Sequence, residues 1–304
     1  MRDHRIVLIP AYNEERFIGS LVLQACQYAE IVIVVDDGSS DDTARIARDA
    51  GATLVRHETN LGKAMALNSG FFYIRLMKKE MQDESLAVVV LDGDGQHQCR
   101  DIPAMTFPIF AGDADIVIGS RFLEVKSRIP RWRIFGQRAL TAATNLSSGF
   151  NVTDSQSGFR AFSRQALTTL DFESEGFSVE SEMQFLAQEN HLRVIEVPIH
   201  AIYHEPSKRN PVRQGMNVLN SILKFTGQYR PLLFFGVPGV TLLLVGIGWG
   251  VVVIERFNVT QHLAIGYAMI CLLLSILGMI LISTGFMLHS IRALLLDMLS
   301  KKNS

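Results

Sequence analysis

The segment from Asp92 to His97, which reads DGDGQH, combines residue types that can hold a divalent cation with a position after a buried strand. It directly follows the apolar run Leu86–Leu91. Two carboxylates and an amide at alternating positions offer the hard oxygen ligands that Mg²⁺ and Mn²⁺ prefer. Taken alone, an Asp-x-Asp sequence better fits an acidic turn that caps the next helix. Its place after a β-branched run, together with its neighbours, instead favours a metal that would hold a diphosphate.

The elements that must position this segment alternate between apolar runs and helical stretches. Strands are predicted at Arg5–Ile9, Ile31–Val35, Thr53–Arg56, Leu86–Leu91 and Ile116–Ile118, and helices at Glu14–Ala29, Asp42–Ala50, Lys63–Lys79 and Asp101–Ala111. This alternation predicts an α/β fold with a mainly parallel sheet and helices on both faces. Ligands of such sheets bind beyond the carboxyl ends of the strands. We therefore expect the loops Pro10–Glu15, Asp36–Asp41 and Asp92–His97 to lie together.

Composition and missing motifs exclude several classes of function. The net charge is −1 over 304 residues, so no nucleic-acid partner is expected. No Gly-x-Gly-x-x-Gly follows the first strand and no Walker A motif occurs, which excludes an ordinary dinucleotide or ATP site. Phosphates would have to be held by a metal and side chains. Cys26, Cys99 and Cys271 show neither metal spacing nor a disulfide framework, which fits a reducing compartment.

Two long uncharged runs, Leu232–Ile254 and Leu263–Leu288, follow the α/β region. At about 1.5 Å of rise per residue, each can cross a hydrocarbon core of about 30 Å as a helix. A buried helix of a soluble protein usually keeps a polar face, so two such runs in succession favour a transmembrane hairpin. The short connection is predicted at Glu255–His262. The two helices could also support a homo-oligomer.

Charges flanking the hairpin predict its orientation. Basic residues precede the first run and follow the second, at Lys208, Arg209, Arg213, Lys224, Arg230, Arg292, Lys301 and Lys302, whereas the connection carries Arg256 alone. The positive-inside rule then places both termini and the α/β domain in the cytoplasm, at a cell or endoplasmic reticulum membrane.

The predicted organisation is a domain at 1–210, a juxtamembrane segment at 211–230, the hairpin at 231–290 and a cytoplasmic tail at 291–304. Apolar residues at helical spacing in 211–230 indicate either an interfacial helix on the membrane or an amphipathic helix packed on the domain.

Four motifs occur in order along the α/β region, at Pro10–Glu15, Asp36–Ser39, Asn60–Lys63 and Asp92–His97. Together they resemble the family 2 glycosyltransferases of the Rossmann-like GT-A fold. Later motifs resemble dolichyl-phosphate mannose synthases and polyprenyl-phosphate glucosyltransferases; they lie at Gly119–Arg121, Asp154–Arg160, Glu182–Met183, Glu196–Ile199 and Ser207–Lys208. The resemblance covers residues 5–230, and the hairpin is similar to that of membrane-anchored members.

For the donor, the resemblance implies a nucleoside pocket lined by Pro10, Tyr12, Glu14, Val35 and Asp37. Asp37 would face a base edge and Glu14 the ribose hydroxyls. The alternative for Asp37 and its neighbour Asp36 is N-capping of the next helix, for which Ser40 or Asp41 stands closer.

For the metal, the resemblance implies Mg²⁺ or Mn²⁺ bound by Asp94 and Gln96, with Asp92 either bound directly or supporting a ligand. His97 would only buttress the loop. The family's Asp-Ala-Asp-Leu-Gln-His is altered here by Gly93 and Gly95, which predicts a more flexible loop.

For the acceptor, the resemblance implies that Arg121 and Arg138 receive a lipid phosphate, since guanidinium groups suit bidentate phosphate contacts. Lys208 matches a phosphate clamp near the membrane. The family's arginine before this lysine is replaced by His204, and Arg209 or Arg213 could substitute for it.

Two acidic residues complete the implied catalytic set. Asp154 would act as a base or would orient the acceptor, or would alternatively pair with Arg160. Glu182 would orient the sugar or Arg160, or would alternatively be a solvated helical carboxylate.

The implied reaction is inverting transfer of a hexose of the mannose or glucose type. The donor would be a UDP- or GDP-linked sugar and the acceptor a polyprenyl (dolichyl) phosphate, giving a lipid-linked sugar for glycosylation. One alternative within the same class transfers the sugar to a lipid-linked oligosaccharide. A nucleotidyltransferase would need a Gly-rich, Arg-containing loop after the first strand, and Pro10–Glu15 has none. A non-catalytic membrane scaffold would be expected to lack Asp94, Gln96 or Asp154.

Overall fold

The computed structural model describes residues 3–77, 85–123, 148–172, 179–200, 230–262 and 264–302. It also describes 137–138, 141–142, 144–145, 216, 223 and 227, and for 295–302 the backbone alone. The chain divides into two compact units, Met1–Ile222 and Leu223–Ser304. The predicted interfacial helix at 211–230 lies, apart from four single positions, outside the described residues, as does Lys208.

The first unit is built on a seven-stranded mixed sheet. Its strands are β1 Asp3–Ala11, β2 Ile31–Asp36, β3 Thr53–Arg56, β4 Ser85–Val90, β5 Ile116–Ser120, β6 Arg160–Ser163 and β7 Val194–Pro198. They are ordered β3-β2-β1-β4-β6-β5-β7. All neighbours pair parallel except β6, which runs antiparallel between β4 and β5. The carboxyl ends of β1, β2, β4 and β5 therefore meet at one edge, together with the first residue of β6.

Helices cover both faces of this sheet. They are α1 Ile18–Ala25, α2 Thr43–Asp49, α3 Lys63–Met77, α4 Ile102–Phe110, α5 Arg164–Thr169 and α6 Val179–Glu189, with a 3₁₀ turn at Cys99–Asp101. Side chains alternate along each strand, so Leu8 joins the core that contains Phe71, whereas Val7 joins the core that contains Ile18. Gly70 lets α3 approach the sheet, because a Cβ there would lie 2.4 Å from a methyl group of Leu8.

The structure confirms the predicted α/β class with a mainly parallel sheet, and it corrects several boundaries. The five predicted strands are present, but β6 and β7 were not predicted as strands, and neither were the helices α5 and α6. β6 begins with a fully buried arginine, Arg160, which no hydrophobic pattern would place in a central strand. The predicted helix Glu14–Ala29 is shorter, at Ile18–Ala25, because Glu14–Phe17 forms a turn before it.

The second unit consists of two long apolar helices. A π-helical turn at Leu232–Gly236 leads into α7 Val237–Thr260, and α8 spans Ile265–Lys302. Leu232–Thr260 and Ile265–Leu294 are long and apolar enough to cross a membrane, and only 17 % and 6 % of their most apolar windows are buried. That low burial argues against core helices of a soluble fold.

Glycines bring the two apolar helices into close contact. A Cβ at Gly246 would lie 2.7 Å from the Ser275 hydroxyl, and one at Gly278 would lie 2.7 Å from the Gly239 carbonyl oxygen. Small residues at such contacts are typical of paired membrane helices.

Helix α7 continues through most of the predicted connection Glu255–His262. It ends at Thr260, and the left-handed backbone of the next residue, Gln261 (φ 54°), stops the helix. The second helix likewise continues past Leu288, the predicted end of the second run, to Lys302. Loss of apolar character marks the membrane boundary in a sequence, but it does not end a helix whose backbone hydrogen bonds remain satisfied.

Candidate functional site

The loops after β1 and β2 are locked together by hydrogen bonds through Asn13, which adopts a left-handed backbone (φ 57°). Its backbone N–H donates to Ser39 Oγ at 2.9 Å, and its side-chain oxygen accepts from the Ser40 N–H at 2.9 Å. The Glu14 N–H donates to Thr43 Oγ1 at 2.8 Å. The predicted nucleoside residues that follow β1 are thus held by a rigid frame.

The predicted nucleoside residues differ in what they can offer a ligand. Tyr12 is 42 % exposed, and Pro10 and Glu14 are half-buried. The Val35 side chain is fully buried in the hydrophobic core. Its predicted contact with a nucleoside can therefore come from its backbone alone.

The carboxylates of Asp36 and Asp37, at the end of β2, do not cap helix α2. Asp36 accepts the Ser39 N–H at 3.2 Å and pairs with Arg56 at 3.0 Å. Asp37 holds the loop that follows β3. The hydrogen bond to the first helical residue comes from Asp41, whose Oδ1 accepts the Thr43 N–H at 3.0 Å. The capping alternative for Asp36 and Asp37 is therefore wrong; the N-cap residue is Asp42, and Asp41 just before it supplies the side-chain hydrogen bond to the start of the helix.

Asp92, the first acidic residue of the predicted metal loop, is paired with a lysine. Lys63 Nζ lies 2.5 Å from Asp92 Oδ1 and 2.6 Å from Glu180 Oε1, which joins the starts of α3 and α6 to the loop. Burial alone would raise the pKa of Asp92, but the positive charges around it, chiefly Lys63 and then His97 and Arg121, together lower that pKa to about 2. The two carboxylates conversely raise the pKa of Lys63, although burial opposes this. The pair is ionised at neutral pH.

Asp94 has the opposite electrostatic setting. Its pKa is raised, first by burial and then by the negative charge of Asp92. Among the described residues, Asp94 forms no ion pair; its Oδ1 accepts the Gln96 N–H at 3.0 Å. A divalent cation would relieve this excess of negative charge, and the donor set of Asp94, Gln96 and the second Asp92 oxygen fits Mg²⁺ or Mn²⁺. The described residues fit the predicted metal by donor type, and with only two carboxylates at the loop they include no group of three or more His, Cys, Asp or Glu side chains placed to hold a metal ion.

Glycines let the chain approach this loop and turn within it. A Cβ at Gly158 would lie 2.1 Å from Asp92 Oδ2, so the loop that precedes β6 packs directly against the carboxylate. Gly95 has φ 70°, a conformation that favours glycine, whereas a Cβ at Gly93 would meet its neighbours at an ordinary 3.4 Å. Gly95 thus has a conformational role that the sequence did not reveal. The buried His97 ring packs on Phe159 at 5.2 Å, as expected of a buttress.

Arg121 is held in a fixed orientation by Asp154. Its Nε and Nη2 donate to the two oxygens of Asp154 at 2.7 and 2.9 Å, and Asp154 is fully buried. Glu196 holds the backbone at this aspartate, since its carboxylate accepts hydrogen bonds from the N–H groups of Thr153 and Asp154 at 2.7 and 3.0 Å. The Arg121 charge also acts on Asp92, so this arginine lies near the metal loop.

The predicted partner of Asp154 was Arg160, and this alternative is wrong. Arg160 instead donates to the carbonyl oxygens of Ser155 and Ser157 at 2.7 and 3.0 Å. It therefore shapes the turn that follows Asp154. Glu182 is 2 % exposed, which rules out the solvated carboxylate that was its alternative.

The remaining predicted residues are not brought into the site by the described structure. Arg138 is exposed, and among the described residues no hydrogen bond or ion pair joins it to Arg121 or Asp154. Lys208 belongs to the residues that the structure leaves undescribed.

Sequence reasoning missed four residues that organise the site: Lys63, Glu180, His57 and Glu196. Lys63 and Glu196 stood within motifs already noted, and only their partners were unknown. Glu180 carries no local signal, because its contact with Lys63 spans 117 residues of sequence. His57 follows β3, and its position after a strand was the one signal that could have drawn attention to it.

Comparison with known proteins adds independent information. The family model for glycosyl transferase family 2 matches residues 6–170. A UDP-N-acetylglucosamine–dolichyl-phosphate N-acetylglucosaminyltransferase of Methanococcus voltae is 35 % identical over 243 residues, covering 72 % of this chain and 92 % of the relative. A polyprenol monophosphomannose synthase of Mycolicibacterium smegmatis is 29 % identical, covering 64 % of this chain and 76 % of the relative.

The same fold occurs among solved structures. Glucosyl-3-phosphoglycerate synthase from Mycobacterium tuberculosis, in complex with Mn²⁺, UDP and glucosyl-3-phosphoglycerate, has a TM-score of 0.58 and 24 % identity. The match covers 74 % of this chain and 80 % of that one. At this identity the likeness shows the fold alone.

Proposed function

Because this chain belongs to glycosyl transferase family 2, we propose that it transfers one sugar from a nucleotide-diphosphate sugar to a polyprenyl phosphate. The observation that carries the proposal is the pairing of two charged features at one sheet edge. The Asp92–Gln96 loop presents uncompensated carboxylate charge at Asp94, and Arg121 is clamped beside it by Asp154. The Asp92–Gln96 loop suits a cation that holds a diphosphate, and Arg121 suits an acceptor phosphate.

In the proposed reaction, the chain's own residues orient two phosphates rather than supply a nucleophile. Arg121 holds the acceptor phosphate, and Asp154 holds Arg121 in the required orientation. A phosphate monoester carries nearly two negative charges at neutral pH, so its oxygen attacks the anomeric carbon without a general base. Both Asp154 oxygens are already bonded to Arg121, which favours the orienting role over the basic one.

The leaving group would be held at the Asp92–Gln96 loop. Asp94 and Gln96 would bind Mg²⁺ or Mn²⁺, with the second oxygen of Asp92 beside them. A bound cation would neutralise the charge that develops on the departing diphosphate. Attack from the opposite face of the sugar would invert the anomeric configuration. Lys63 fixes Asp92, so the loop keeps its shape before the donor arrives.

The proposal extends to the membrane and to the identity of the sugar. Two apolar helices that could cross a bilayer support a lipid acceptor, and the excess of Lys and Arg outside the hairpin supports a cytoplasmic site.

The named relatives transfer N-acetylglucosamine or mannose. The nucleotide sugars tested as donors for this chain should therefore include UDP-N-acetylglucosamine, UDP-glucose and GDP-mannose.

The metal part of the proposal is tested by comparing Asp94→Asn with Asp113→Asn in the purified full chain. Asp113 is an exposed aspartate that precedes β5, at the opposite edge of the sheet. We expect chelation to abolish sugar transfer to polyprenyl phosphate, and Mg²⁺ or Mn²⁺ to restore it. Asp94→Asn should weaken Mn²⁺ binding, measured by electron paramagnetic resonance, and should remove turnover, whereas Asp113→Asn should change neither. Full activity in chelator would overturn the metal role.

A further inference from the structure

The carboxylate of Asp37 is already engaged by three hydrogen-bond donors. His57 Nδ1 lies 2.7 Å from Oδ1, the Leu61 N–H donates to Oδ1 at 2.9 Å, and the Gly62 N–H donates to Oδ2 at 2.8 Å. The loop after β3 thus folds over Asp37. Gly38 permits this approach, because a Cβ there would lie 2.5 Å from the Thr59 carbonyl carbon.

His57 is fixed on both sides of its ring. Because the Asp37 carboxylate accepts, His57 Nδ1 is the donor in their contact, and Nε2 lies 2.9 Å from the Ser69 hydroxyl. The His57 and Asp37 side chains are 10 % and 6 % exposed. The three side chains therefore form a partly buried chain of hydrogen bonds from Ser69 through His57 to Asp37, which fixes the orientation of the carboxylate.

Counting acceptor positions shows what Asp37 can still bind. An ionised carboxylate offers about four lone-pair positions, two on each oxygen. Oδ1 accepts from His57 and Leu61, and Oδ2 accepts from Gly62, so one position remains on Oδ2. Guanine presents two adjacent donors, N1–H and the N2 amino group, which a carboxylate meets with both oxygens. Uracil presents a single imide donor, N3–H, between two carbonyl groups.

We infer that this site takes uridine nucleotides rather than guanosine nucleotides, and that His57 is the positioning residue that enforces the choice. This rests on the proposed function, in which Asp37 faces the base. With Oδ1 fully used, a guanine would leave one of its two edge donors without a partner in a desolvated site. An unmet donor of this kind costs enough to lower affinity by about tenfold to a hundredfold.

The inference is tested by titrating the purified full chain in detergent with UDP and with GDP in the presence of Mg²⁺, using isothermal calorimetry. UDP should bind at least about tenfold more tightly than GDP. GDP bound as tightly as UDP would overturn the base assignment and leave the proposed sugar transfer standing. Failure of both nucleotides to bind would overturn both.

Variants of the chain test the role of His57. His57→Phe frees one acceptor position on Asp37 Oδ1, so the ratio of UDP to GDP affinity should fall at least threefold. His57→Asn keeps a hydrogen-bond donor and should therefore lose less of that ratio than His57→Phe. Ser69→Ala leaves the histidine in place and should give a smaller fall. His4→Phe is the matched control, because His4 pairs with Glu30 near the start of β1, at the opposite edge of the sheet. An unchanged ratio in folded His57→Phe and Ser69→Ala would overturn the positioning role.

Discussion

Replacing Lys63 by Met removes the cation shared by Asp92 and Glu180. The pKa of Asp92 lies at about 2 in the folded chain, against an ordinary value of 3.8. At about 1.4 kcal/mol per pKa unit, this net shift, to which Lys63 is the largest favourable contributor, corresponds to about 2 kcal/mol in the free energy of unfolding at pH 7. The sign follows from the lowered pKa: this contribution is complete above pH 3.8 and is lost as the pH falls towards 2.

Loss of about 2 kcal/mol should lower the unfolding midpoint of a unit of this size by about 4–8 °C. In Lys63→Met the two carboxylates face each other without a cation, and protonation of one relieves their repulsion. The difference between variant and wild type should therefore narrow as the pH falls from 7 to 5. Differential scanning fluorimetry of the purified chain at a fixed scan rate measures both effects.

Arg45→Met is the matched control for Lys63→Met. Arg45 also bridges two carboxylates, Asp42 and Asp49, but at an exposed surface where all three side chains are about 60 % exposed. Such pairs contribute little, so Arg45→Met should shift the midpoint by less than about 2 °C. An unfolding midpoint of Lys63→Met equal to that of wild type, or no lower than that of Arg45→Met, would contradict a stabilising role of Lys63 at the metal loop.

Three further predictions concern the packing of the site, the acceptor and the membrane topology. Gly158→Ala places a Cβ 2.1 Å from Asp92 Oδ2 and should destabilise the chain by about 1–3 kcal/mol in thermal unfolding, whereas Gly93→Ala should be close to neutral. Equal midpoints for the two would contradict the tight packing at Gly158. Arg121→Lys loses the bidentate geometry and should lower kcat/KM for polyprenyl phosphate at least about tenfold, with an unchanged KM for the nucleotide sugar; a selective rise in the donor KM would reassign Arg121. A reporter fused after Ser304 should be cytoplasmic, and reporter activity on the far side would reverse the topology.

How far the sequence predicted the site depended on the range of the contacts involved. Each apolar run that became β1, β2 or β4 ends in a polar loop, and parallel pairing of these neighbours brings the loops to one edge. That much follows from local pattern. The pairing of Arg121 with Asp154 spans 33 residues and that of Lys63 with Glu180 spans 117, so neither has a local signature.

The missed strand β6 shows a second limit. It places the charged Arg160 at the start of a central strand, where local hydrophobicity argues against a strand. The buried guanidinium is accommodated because the carbonyl oxygens of Ser155 and Ser157 accept its hydrogen bonds. The long-range fold thus overrides the local pattern at a residue that shapes the site.

The chemical identity of the lipid product tests the central claim most directly. The purified full chain is incubated with a nucleotide sugar, polyprenyl phosphate and Mg²⁺, and the lipid fraction is analysed by mass spectrometry. We expect a new species that exceeds polyprenyl phosphate by the mass of one sugar residue and that is absent with Asp94→Asn. Release of free sugar with no change in lipid mass, or transfer only to a lipid-linked oligosaccharide, would contradict it.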